Sequence, residues 1–187
     1  MHGSLEWYGQ LWDNAELTDD LDDRRRLNRA VKKIQEHQMR YQMVERKAHV
    51  PWWVIAVIHM READCDFRSI LHNGERIIGT GEKTRLVPKA RGPFATWEEA
   101  AVDALNIIRK PEHWTIERTL QFLEKYNGTG YLRYHPETLS PYLWACTTLY
   151  SGFGKYVADG KFDPRARELQ CGVVAMIIKL QILVGRE

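Results

Sequence analysis

Apolar residues recur at helical spacing along most of the chain and give way for long to polar, Gly- and Pro-punctuated text only early in its middle. Leu5, Tyr8, Leu11 and Trp12 predict a short first helix. In TDDLDDRRR, Thr18 followed by carboxylates makes a helix start, because both complement free N–H groups. Leu27, Ala30, Val31, Ile34, Tyr41 and Val44 extend one amphipathic face to about residue 47. Pro51 suits the first turn of the next helix, with Trp53, Val54, Val57 and Ile58 as its apolar face. Thr96 and Glu99 form a capping-box pattern ahead of WEEAAVDALNII. A further helix is predicted over 115–126, and Gly128 and Gly130 in YNGTGY permit a tight backbone course. SPYLWACTTLYSGFGKYVADGKF predicts a short or broken helical segment running into a loop, and 164–184 a buried terminal helix. Between 67 and 95, HNGE, GTGEKT and VPKARGPF predict a small hairpin-rich lobe. The expected architecture is mainly α and a single domain over 1–187. Residues 1–47 form its amino-terminal helical portion, and 67–95 a small irregular or β lobe.

Composition agrees with a folded chain able to bury a core: 187 residues, 44% hydrophobic and 28% charged. With 27 Lys and Arg against 25 Asp and Glu, the net charge of +2 is too small to argue for a polyanion, so nucleic acid is not an expected partner. Seven Trp and eight Tyr supply flat rings that either stack on sugar faces or fill cores. Cys65, Cys146 and Cys171 show no close pair and no metal-finger spacing, which favours a reduced, cytosolically made protein. The amino terminus lacks the pattern of a secretory leader. The apolar stretch 171–185 is short for a bilayer and interrupted by Lys179 and Gln181, so stable membrane insertion is not expected.

The chemistry gathers around HMREADCDFRSILHNGE, 59–75. Ile58 and Glu62 stand four apart, which places Glu62 near the inner boundary of its helix. A carboxyl group partly withdrawn from water holds its proton more tightly, as a general acid near neutral pH must. The alternative is an ordinary surface ion pair. Glu75, thirteen residues on, is a candidate base for water, Thr84 a candidate to orient that water, and Glu82 a candidate substrate-binding group of the same lobe. Cleavage of a glycosidic bond needs such a set: a proton donor to the leaving oxygen and a means to meet positive charge at the anomeric carbon. His59 with Glu62 does not complete a zinc-peptidase pattern, because position 63 is Ala. GTGEKT lacks the full phosphate-loop pattern, and Cys65 has no adjacent base. No metal or cofactor is expected.

VPWWVIAVIHMREADCDFRSILHNGE resembles the catalytic-helix region of phage and bacterial peptidoglycan hydrolases of the lysozyme-like superfamily. GPFATWEEAAVDAL, YNGTGY and SPYLWACTTLYSGFGKYVADGKF extend the resemblance over about 48–184. It implies a two-lobed, mainly helical muramidase fold in which the small lobe borders a glycan cleft. It also implies cleavage of the β-1,4 bond between N-acetylmuramic acid and N-acetylglucosamine in peptidoglycan, with Glu62 in the position of the catalytic acid. YNGTGY resembles a cleft-forming Tyr–Asn–Gly segment, which implies Asn127 on an acetamido group and Tyr126 or Tyr131 as a sugar contact, and Tyr142 and Tyr150 are further groove candidates. The short Glu–Asp–Thr spacing of one phage branch is absent, since position 71 is Leu, whereas Glu75 resembles the goose-type spacing. A lytic transglycosylase and a non-catalytic peptidoglycan- or chitin-binding module stay open beside the hydrolase. A phage-type enzyme of this kind is made in the host cytoplasm and acts on the wall after release by a separate, holin-like membrane-permeabilising partner.

Overall fold

A computed structural model of the chain describes residues 1–158 and 160–182. In chain order its elements are α1 (Leu5–Asn14), α2 (Leu21–Glu36), α3 (Gln38–Ala48), α4 (Trp52–Ala63), α5 (Trp97–Asn106), α6 (Ile116–Asn127), α7 (Gly130–Tyr134), α8 (Pro141–Trp144), β1 (Phe153–Ala158), β2 (Lys161–Arg167) and α9 (Val173–Lys179). The fold is mainly helical with one antiparallel hairpin, β1–β2. Two compact units emerge: Lys32–Lys110, and Met1–Val31 together with the chain from Pro111 onwards. Among the described residues, no helix is long and apolar enough to cross a membrane.

In the Lys32–Lys110 unit, α4 is the central element. Every residue from Trp53 to His59 is buried, so the helix is covered all round rather than along one stripe. Burying Val54, Ile55, Val57 and Ile58 completely contributes roughly 1.5–3 kcal/mol each. α3 packs against both α4 and α5. The single long helix predicted to residue 47 is broken at His37, whose φ of −115° and ψ of 12° depart from helical values. Its ring packs edge-on against Phe67, with centroids 4.7 Å apart, a contact that periodicity alone does not disclose. α5 starts as predicted, with the Thr96 hydroxyl accepting from Glu99 N–H and the Glu99 carboxylate accepting from Thr96 N–H.

The 67–95 segment is irregular but contains no strand. Isolated backbone bonds, Gly79 N–H to Phe94 O and Thr84 N–H to Arg91 O, fold it back on itself without building a ladder. Side chains take the place of that ladder, as described below. Ile70, Ile77, Phe94 and Ala100 form a small core beneath it, with Ile78 alongside.

In the other unit, α1 packs on α6, α6 on α8 and α8 on α9. The hairpin falls at 153–167, where a broken helix and loop were expected, and β2 occupies the start of the predicted terminal helix. The observed helix there is Val173–Lys179, fully buried through Ile177. The predicted end of that helix, beyond residue 182, lies outside the described residues.

Candidate functional site

The last turn of α4 carries Glu62 and is closed by two successive residues in the left-handed region, Asp64 at φ 52° and Cys65 at φ 58°. Their N–H groups donate back to Met60 O and His59 O, which stops the helix directly beyond Glu62. Non-glycine residues adopt such angles at a cost, so the surroundings must hold them. Lys33 pairs with Asp64, and the Cys65 thiol packs against the Met60 sulfur at 3.6 Å. Burial pushes the Cys65 thiol up to about 11, which leaves it a packing group rather than a nucleophile.

His59, one turn before Glu62, is fully buried, and burial lowers it to about 4. The neutral ring spans Tyr41 and the backbone carbonyl of Asp66. A carbonyl only accepts, so Nε2 carries the proton and donates to Asp66 O at 3.2 Å. Nδ1 then accepts from the Tyr41 hydroxyl at 3.1 Å. Tyr41, Phe67 and Trp97 enclose the imidazole edge-on or tilted. His59 is thus a strut that ties α4, α3 and the departing chain together. The carboxylate of Asp66 is drawn down to about 2, chiefly by its hydrogen bonds from Arg68, with Arg76 adding charge.

Glu62 itself is exposed. The four-residue spacing from Ile58 predicts an inner position, but the whole helix leaves the core at Met60, so facing matters less than depth. The result is an exposed carboxyl group directly beyond the buried part of α4.

Glu75, Glu82 and Thr84 are gathered in one network that shapes the irregular segment. The Glu75 carboxylate accepts from Arg85 N–H at 3.0 Å, Leu86 N–H at 3.2 Å and Asn73 Nδ2 at 2.8 Å. Burial opposes its ionisation, but these donors outweigh that and hold it below the usual glutamate range. The buried Thr84 hydroxyl donates to Pro88 O and accepts from Arg91 N–H, closing the 84–91 loop on itself. Exposed Glu82 pairs with Arg85 at 2.8 Å. Glu75 and Thr84 thus brace the loop with the same atoms that a water-positioning role requires. Nearby, Asp103 binds both Arg91 and His72, and although burial opposes it, these partners keep its carboxyl low.

The remaining candidates belong to the second unit. Tyr126 is half-buried beside Phe122, and Asn127 ends α6 in an exposed position ahead of Gly128 at φ 104°. Tyr131 is buried: its hydroxyl accepts from Tyr156 N–H at 3.1 Å and its ring packs against Tyr156 and Phe162, seating the hairpin. Tyr142 is buried in α8. Tyr150 donates to Gly154 O and lines a cavity of about 280 Å³ with Thr18, Asp23, Cys146, Ser151 and Arg167. Tyr126, Asn127 and Tyr150 are the members of this set with surface to offer.

Two features escape a linear reading. Glu124 on α6 is 1% exposed, and burial raises it to about 7, with the Ser140 hydroxyl opposing. Its Oε1 has no hydrogen-bond partner among the described residues. The signal was present in the spacing, because Ile116, Leu120 and Glu124 stand four apart on one face. Cys146 and Cys171, far apart in sequence, form no disulfide, and their sulfurs are in direct contact. Among the described residues no group of three or more His, Cys, Asp or Glu is placed to hold a metal ion. No family model, curated protein or solved structure matches the chain.

Proposed function

We propose that the protein cleaves peptidoglycan glycan strands at the β-1,4 bond between N-acetylmuramic acid and N-acetylglucosamine, with Glu62 as general acid. The observation that carries this reading is the mounting of Glu62. It stands at the end of a helix whose 53–59 stretch is buried all round, held by the His59 strut and stopped by a left-handed cap; because the carboxyl group is exposed, the withdrawal from water that a general acid needs has to come from the bound glycan. Precise placement of a reacting group on a rigid element is what proton transfer to a glycosidic oxygen requires. The resemblance of 50–75 and the later segments to lysozyme-like enzymes supports the same residue and the choice of bond.

In the proposed mechanism Glu62 gives its proton to the bridging oxygen as positive charge develops on the muramic acid ring, and the resulting carboxylate takes a proton back as the product forms. Hydrolysis requires a water held on the ring, and Glu75 is the ionised group offered for it, with Glu82 of the same unit as a sugar contact. The engagement of Glu75 and Thr84 in loop bonds favours a second outcome. In a lytic transglycosylase the substrate's own hydroxyl replaces water, and Glu62 alone serves as acid and then base.

Purified wild-type protein and Glu62→Gln are incubated with peptidoglycan sacculi, and the soluble fragments are weighed by mass spectrometry. Wild type should release disaccharide-based fragments, and the variant should lose roughly two to four orders of magnitude in rate. Reducing muramic acid ends mark hydrolysis, whereas 1,6-anhydro ends mark transglycosylation. Binding of sacculi without fragments from either protein would replace the enzyme with a binding module, and full turnover by the variant would remove Glu62 from the mechanism.

A further inference from the structure

The junction of α8 and α9 brings together two cysteines separated by 25 residues. Gly172 makes this possible. Its N–H donates to Ala145 O at 2.8 Å, and a Cβ built on it would lie 2.3 Å from Leu143 O and 2.6 Å from Ala145 N. Only a residue without a side chain lets these two stretches of backbone come so close. The neighbours of the bonded pair, Cys171 beside Gly172 and Cys146 beside Ala145, therefore face one another. Both are buried, and their sulfurs are in contact with no other group between them.

A cation lies beside the pair. Half-buried Arg26 lies near both sulfurs, and its Nε has no hydrogen-bond partner among the described residues. Its guanidinium is held by Asp23, whose backbone carbonyl lies 3.9 Å from the Cys171 sulfur. Contact with Cys171 and then burial push the Cys146 thiol well up, with Arg26 opposing, so what favours the bond is the contact of the two sulfurs and not an activated thiolate, and the exchange calls for alkaline conditions. Cys146 also lies on the wall of the cavity of about 280 Å³ that Tyr150 lines, which gives a small reagent a way in.

We propose that Cys146 and Cys171 are a modification site: a dithiol pair that closes into an intramolecular disulfide when a low-molecular-weight disulfide supplies the oxidising equivalent. One protein thiolate displaces half of the reagent, forming a mixed disulfide and releasing the first reagent thiol. The second protein thiolate then displaces the other half. In sum two protein S–H bonds become one S–S bond, the reagent S–S bond becomes two S–H bonds, and the protons pass to the released thiols. The bond closes a loop that carries Tyr150 and the whole β1–β2 hairpin. Cys65, buried against Met60 in the other unit, stays a thiol. The inference does not depend on the glycan-cleaving function.

The test uses the full chain and hydroxyethyl disulfide as the probe. After incubation at mildly alkaline pH the protein is unfolded, alkylated and weighed, and its peptides are mapped. Untreated protein should take up three alkyl groups, and oxidised protein one, at Cys65, with a peptide linking Cys146 to Cys171. Cys65→Ser should still form the link, whereas Cys146→Ser and Cys171→Ser should not. In a fixed thiol–disulfide buffer the linked fraction relative to dithiol should be roughly a hundredfold larger for folded chain than for chain in urea. Three alkylatable thiols after oxidation, a link through Cys65, or equal ratios in folded and unfolded chain would each overturn the proposal. These comparisons need no variant to fold.

Discussion

Glu124→Gln isolates one ionisation in the interior of the α1–α6–α8 cluster. The unfolded chain releases the Glu124 proton around the ordinary 4.5, whereas burial makes the folded chain hold it to about 7. A gap of that size, at about 1.4 kcal/mol per pH unit, comes to about 3 kcal/mol. The sign follows from proton binding. Between the two values the folded state binds more protons than the unfolded state, so stability falls as pH rises. The contribution is complete below 4.5 and is lost as pH climbs through about 7. Gln has the same shape and cannot ionise. The difference in unfolding free energy between variant and wild type should therefore grow by about 3 kcal/mol in the variant's favour from roughly pH 4 to pH 8.5. Urea unfolding at a series of pH values reads this difference. A constant cost of burying the amide displaces the whole curve without changing its rise, and every other titrating group cancels. Parallel stability curves for the two proteins would refute the account, because they would mean that Glu124 reaches water in the folded state.

The buried His59 should behave in the opposite sense. Burial lowers it from 6.5 to about 4, so its contribution is present above 6.5 and lost as pH falls through about 4. His59→Phe should abolish that acid-side loss, and near neutrality it should cost about 2–5 kcal/mol, because Tyr41 and the Asp66 carbonyl lose their partner; an unchanged acid limb in the melting profile would contradict it. Gly172→Ala, at a φ of −71° that suits any residue, should cost about 3 kcal/mol in urea unfolding purely from the clash with backbone at 143–145. A neutral result would show that the two segments do not approach so closely.

Local signals carried the sequence reading furthest. The Thr96–Glu99 capping box opens α5, α6 begins within the predicted 115–126, and the apolar run of α4 forms a helix as predicted, with Pro51 just before its first turn rather than in it. Reading failed where a partner remote in sequence decides the outcome. His37 interrupts the long helix in contact with Phe67, and the spacing of Leu27 to Val44 gives no sign of it. The hairpin at 153–167 had a signal of its own, the Asp159–Gly160 dipeptide between residues such as Tyr156, Val157 and Phe162, which the neighbouring helical segment masked. At the candidate site the position of Glu62 at the end of α4 was legible. Its exposure was not, because depth in the core depends on where the whole helix emerges. The loop-bracing duty of Glu75 and Thr84 was equally hidden, since their partners are main-chain atoms whose positions a sequence does not display.

Of the two compact units, Lys32–Lys110 is continuous in the chain, whereas the other joins the first 31 residues to everything after Pro111. On a ribosome the continuous unit, with Glu62 in it, is available to fold as soon as it has emerged. The opening helix must wait for α6, roughly a hundred residues later, before its partner exists. α1 thus waits on a partner that is made only after the whole Lys32–Lys110 unit.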